Sequence, residues 1–218
     1  MATTSLPAPA ALSDFAPMAE RAVSIDPLAV LRFRGMADQV AGFVRLPYDV
    51  IAGRAVATTD SGSYDATVSA ADFLQWVDGG GSAGEPPRRD AHWLSALPPR
   101  AGWRRIETVP DTAVRDLVRA GAQLARDTAT KPGQEALVKA IVLTATATAT
   151  ATTTSAGDET VDVPLGALSG LTRMGFLPSG SSAAVDIAPG WIRLAAPFGS
   201  TFVSSGGNLL GLLGGFRP

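Results

Sequence analysis

The chain has 218 residues, of which about 46% are hydrophobic and 17% charged, with 23 glycines, 16 prolines and a formal net charge of -2. A chain of this length can bury a sizeable core, as one domain or as two small lobes. The absence of cysteine excludes disulfides, thiolate catalysis and cysteine-held zinc, and the charge balance lacks the positive excess with which nucleic-acid binders neutralise phosphates.

Residues 88–131 carry nine basic and five acidic side chains, a local bias too small to name a partner. The chain begins MATTSLPAPAALSDFAPMAER, with no positive charge ahead of an apolar block, so it does not read as a signal peptide. No apolar run approaches the roughly eighteen residues that a membrane-spanning helix needs. The expected address is cytoplasmic.

Residues 1–27, rich in Ala and Pro, are expected to form a flexible tail, with at most one helical turn around Phe15 to Arg21. Residues 28–78 should form a strand-rich lobe. LAVLRFRG, QVAGFVRL and DVIAGRAVATT read as strands, and Tyr64, Ala66 and Val68 alternate with polar neighbours. Ser69 and Asp72 have capping-box spacing ahead of a short helix that ends at Gly79-Gly80-Gly81. Residues 79–99, with GGGSAGEPPRRD, read as a linker or long loop and as the best boundary between lobes.

Residues 100–204 should hold helices followed by an antiparallel meander. Thr108 and Asp111 predict a helix start near Thr108, with Pro110 in its first turn and Val114, Leu117, Val118, Gly121, Leu124 and Ala125 on one stripe. Lys131-Pro132-Gly133 predicts a stop or kink before a second helix at about 134–140. Residues 141–154 alternate Thr and Ala, so helix and strand propensities conflict; the two-residue period favours a strand, paired with Thr160 to Val163 across a turn at 155–158. A helix over Leu165 to Met174 should end at Gly175, followed by strands AAVDI, WIRLA and STFVS. Residues 205–218 form a Gly/Leu-rich tail. The fold class expected is α+β, with small antiparallel sheets and about four short helices, divisible into two lobes.

Few residues offer chemistry. His92 is the sole histidine, and with Asp90 it is the one weak candidate for acid–base catalysis. There is no GxSxG, no HExxH and no calcium loop, and Gly79-Gly80-Gly81 lacks the Lys-Ser/Thr of a phosphate loop. Neither a metal nor a cofactor is expected. Trp93 and Trp103 flank a segment that could wrap a lobe, and Arg104 and Arg105 follow in what reads as a loop suited to an anionic partner. The element order of the second half resembles that of a winged-helix domain, but PLGALSGLTRMG, in the recognition-helix position, carries Arg173 as its one charge. In the tail, Leu209, Leu210, Leu212 and Leu213 lie on glycine-rich backbone. It resembles the cargo-targeting peptides that load proteins into bacterial encapsulin shells, a likeness that implies a protein partner for the tail.

The leading expectation is a non-catalytic structural, interaction or regulatory protein, with a protein partner or self-association and no membrane span. The competing one is an enzyme or small-molecule binder with a pocket between lobes. The third is a weak winged-helix-like nucleic-acid binder, which the charge distribution disfavours.

Overall fold

The computed structural model describes residues 5–36, 38–58, 64–128, 130–146 and 160–205. The protein is α+β and divides into two compact units, Met1–Pro47 with Ile51–Leu97, and Tyr48–Val50 with Pro98–Pro218.

The first unit opens with helix α1 (Pro9–Leu12), a 3-10 turn (Ser13–Phe15) and helix α2 (Ala16–Ile25). The flexible tail expected over residues 1–27 is therefore corrected to helix over residues 9–25. Pro9 and Pro17 sit in the first turns of their helices, where a missing N–H leaves no bond unmade. Leu12, Phe15 and Met18 are fully buried and anchor the segment. Strands β1 (Val30–Met36), β2 (Gln39–Leu46), β3 (Val50–Ala57) and β4 (Asp65–Ser69) follow, in spatial order β4-β1-β2-β3. Ser69 then caps helix α3 (Ala70–Asp78), its hydroxyl accepting from the Asp72 N–H at 3.3 Å.

Strand alternation divides this sheet into two unlike faces. Leu31, Phe33, Val40 and Val44 are buried on the helix-covered face. The Phe33 ring lies 5.3 Å from Phe15 and 5.1 Å from Phe73, joining strand to both helical segments. Each ring contributes about 1.5–3 kcal/mol through burial. Arg32, Arg34, Phe43 and Arg45 lie on the other face, which among the described residues carries no α-helix.

The second unit carries β5 (Arg104–Pro110), α4 (Asp111–Asp127), α5 (Lys131–Lys139), β6 (Ile141–Thr146), β7 (Thr160–Pro164), α6 (Leu165–Arg173), β8 (Ser182–Ala188), β9 (Trp191–Ala196) and β10 (Gly199–Ser204). Its main strands are ordered β10-β9-β8-β5; β6 and β7 make a separate hairpin. Residues 104–110 are strand, so the helix starts at Asp111 rather than near Thr108, and no side chain caps it. Lys131-Pro132-Gly133 is the first turn of α5, with Pro132 in the position helices tolerate, so it is neither a stop nor a kink. The Thr-Ala segment is strand over Ile141–Thr146; its expected turn at 155–158 lies outside the described residues. Gly175, at φ 67°, follows α6 in the left-handed region, where a side chain would be strained.

The two units repeat one arrangement. In each, a three-strand meander is flanked at its first strand by a fourth strand, β4 or β5, that runs directly into a helix. That helix, α3 or α4, packs on the helix that precedes the meander, α2 or α6. Among the described residues, no helix is long and apolar enough to cross a membrane.

Gly42 is required by close approach rather than by conformation. A Cβ there would stand 2.7 Å from two carbons of the Phe15 ring. Gly42→Ala should therefore destabilise the protein by about 1–3 kcal/mol, measured as a lowered urea midpoint with an unchanged slope.

Candidate functional site

The helix-free face of the second unit's sheet is built from a row of paired residues. The meander register places Asp186 opposite Arg193, and Arg193 opposite Phe202. Arg105 on β5 pairs with Asp186 on its other side. Asp186 is only 2% exposed, and its carboxylate is divided between two guanidiniums. Arg193 Nε and Nη2 donate to Oδ2 at 3.0 and 2.8 Å, while Arg105 Nε donates to Oδ1 at 3.1 Å. The guanidinium carbon of Arg193 lies 4.5 Å from the centroid of the Trp103 ring, whose N–H donates to the Pro99 carbonyl at 3.0 Å. Trp103 also contacts Phe202, with centroids 5.8 Å apart. The buried carboxylate is thus paired and hydrogen-bonded, as its removal from water demands.

Beside this row is an open recess of about 220 Å³, lined by Arg105, Thr108, Ser182, Ala184, Ala195, Ala196 and Pro197. Thr108 lies opposite Ala184, and Ala184 opposite Ala195, so two alanines form the floor. A bulge between Arg105 and Glu107 builds the wall. Strict alternation would place Arg105 and Thr108 on opposite faces; the extra residue brings both to the recess.

The first unit carries the same residue types. Arg32 makes two bonds to Asp65, Nε to Oδ1 at 2.7 Å and Nη2 to Oδ2 at 2.8 Å, and its guanidinium carbon stands 5.8 Å from the Trp93 ring centroid. The segment leading to Trp93 lies along the edge of β4. Arg89 N–H donates to the Thr67 carbonyl, and Thr67 N–H donates to Asp90 Oδ1 at 2.8 Å. Arg88 bonds Asp90 Oδ2 and the Asp65 carbonyl. Trp93 is buried, its N–H donating to the Ser95 carbonyl at 2.7 Å.

The sequence candidates therefore separate. Asp90 is committed to the β4 edge, His92 is exposed, and among the described residues no hydrogen bond joins them. Trp93 belongs to the first unit and Trp103 to the second. Arg104 and Arg105 are strand residues, not loop residues, and adjacent strand positions face opposite ways; Arg105 alone lines the recess. The helix in the recognition position of a winged-helix order is α6, which buries Leu165, Gly166, Ala167, Leu168, Gly170 and Leu171, so it is a core helix. Leu209, Leu210, Leu212 and Leu213 lie outside the described residues. Asp186, Arg193, Thr108, Ser182 and the alanine floor did not emerge as a site from the sequence. A two-residue turn at Pro189-Gly190 implies the Asp186–Arg193 pair; nothing in the residue pattern signals the bulge. Among the described residues, no cluster of three or more His, Asp or Glu could hold a metal ion.

The hydrogen bond from Arg32 holds the Asp65 carboxyl below its ordinary value of 3.8, and the same bond raises Arg32. A lowered folded value means stability that is complete above the ordinary carboxylate range and lost as pH falls through the folded value. Asp65 is 43% exposed, so screening keeps the effect small. Asp65→Asn should cost on the order of 1 kcal/mol at pH 7, and the difference from the parent chain should close as pH falls below 3.8 in urea titrations across pH.

The fold matches solved structures of DNA polymerase sliding clamps. The beta subunit of the Streptococcus pyogenes DNA polymerase superposes with a TM-score of 0.57 at 11% identity, over 88% of this chain and 62% of that one. The clamp of Bacillus subtilis gives 0.58 at 15%, over 90% and 63%. A ligand-bound clamp of Pseudomonas aeruginosa gives 0.56 at 11%, over 88% and 62%. The chain thus spans about 62% of the length of the Streptococcus structure, and the likeness is one of fold. No curated protein matches the chain. Residues 1–95 match the domain of unknown function DUF8010. Residues 98–208, half of the sequence, match the domain of unknown function DUF8185, and the chain belongs to that family.

Proposed function

We propose that the chain is a non-catalytic interaction protein that docks a segment of a protein partner on the helix-free sheet face of its second unit. The observation that carries this reading is the open recess beside the Asp186 cluster, floored by Ala184 and Ala195. Small side chains on a sheet face let another backbone approach closely, while fixed polar groups at the rim give orientation. The residues at hand do not favour chemistry. Asp186 is held by two guanidiniums, and His92 is in the other unit. The fold's likeness to polymerase clamps, which are subunits of a larger assembly, supports an assembly role. Helix α4 balances Arg115, Arg119 and Arg126 against Asp111, Asp116 and Asp127, which favours a protein partner over a phosphate backbone.

A display library of random peptides selected against the immobilised full chain tests the reading. Selected peptides should bind with roughly micromolar affinity, and Ala195→Trp, which fills the floor toward solvent, should weaken them at least about tenfold without lowering the melting temperature. Failure to select any peptide, or equal binding to the Ala195→Trp protein, would sink the proposal.

A further inference from the structure

Resting on the docking reading, the recess also indicates what its occupant must carry. Arg105 is 60% exposed and gives only its Nε to Asp186. Among the described residues, its two terminal amino groups have no acceptor. Arg105, Thr108 and Ser182 all line the recess. We infer that the docked segment presents an Asp or Glu carboxylate to Arg105, beside the Thr108 and Ser182 hydroxyls.

Two independent observations support a carboxylate. The first is local charge. Arg105 and Arg193 surround one buried carboxylate, which leaves a single positive charge for a ligand. A monoanion completes that balance. A phosphate dianion would bring excess negative charge up to Asp186. The second is the first unit, where the equivalent flanking strand β4 is already covered by the chain's own extended segment. That segment places a carboxylate at the strand: Asp90 accepts the Thr67 N–H and pairs with Arg88 at 2.9 Å. Besides β8, the described strand neighbouring β5 is β6, whose Thr146 N–H donates to the Glu107 carboxylate at 3.3 Å, and β5 offers a carboxylate the side chain of Arg105 instead of a backbone N–H. The bulge strengthens the case, since it turns an edge-strand arginine and a threonine toward the same point.

The experiment uses the full chain and the display-selected peptides, synthesised with blocked ends. Each acidic residue is replaced in turn by its amide or by phosphoserine, and binding is followed by fluorescence anisotropy. One amide replacement should weaken binding about tenfold. Arg105→Gln should cause the same loss for the acidic peptide and no further loss for its amide form. Arg105→Glu should instead accept a peptide with lysine at that position, and thermal melting of each variant separates a binding loss from misfolding. Added salt should weaken the acidic peptide, because the pair is partly exposed. Selected peptides without carboxylates, or acidic ones indifferent to Arg105→Gln yet sensitive to Ala195→Trp, would overturn the carboxylate and leave the docking site standing. Tighter binding of the phosphoserine form would also overturn it. Loss of all peptide selection would instead remove the docking reading beneath it.

Discussion

A carboxylate that is 2% exposed on a sheet face without helix cover must be neutralised where it stands. Asp186 meets that constraint by drawing one arginine from each neighbouring strand, Arg193 from β9 and Arg105 from β5. The cluster therefore ties three strands across their side chains as well as through their backbones. Trp103 closes the cluster from above and excludes water from one side of Arg193. Breaking such a cluster by removing the acid would leave two cations facing each other, a larger penalty than the net stability the ion pairs supply. The cluster stabilises the face while leaving part of Arg105 unused.

The two units of the chain differ in which charged groups reach solvent. Both units put an Arg–Asp pair and an indole on the helix-free face, yet their solvent exposure differs. In the first, residues 88–93 run along the β4 edge and bury Trp93, while Asp65 keeps 43% of its side chain exposed. In the second, Trp103 is half-buried and the neighbouring recess is open. The exposed partner is the acid Asp65 in one unit and the arginine Arg105, beside the recess, in the other. That asymmetry, rather than any single residue, separates a stabilising ion pair from a candidate interaction surface.

Much of the architecture was legible because local rules agreed with the final packing. The alternation in β1 and β2, the Ser69 cap and the glycine after α6 all act within a few residues of one another. For proline, position in a helix matters more than presence. Pro9, Pro17 and Pro132 open helices, and the buried Phe15 and Met18 hold the first segment down. Thr108 and Asp111 have capping spacing, yet Thr108 pairs with Ala184 and tertiary pairing overrides the local signal. The Asp186–Arg193 pair follows from hairpin register. Arg105 and Thr108 share a face only through the bulge, and alternation alone places them apart.

The bulge also bears on selectivity. Edge strands offer unpaired backbone groups that recruit extended segments without discrimination. Charge and irregular register on such a strand suppress that tendency, and β5 has both in Arg105, Glu107 and the interrupted pairing between them. The features that discourage indiscriminate strand addition are thus the same ones that shape the recess. A segment that lacks a carboxylate would have to bring apolar or cationic groups against Arg105 without compensation. One that supplies it satisfies the guanidinium and lies over the alanine floor. Selectivity on this face then derives from the residue that makes the edge unattractive to other chains.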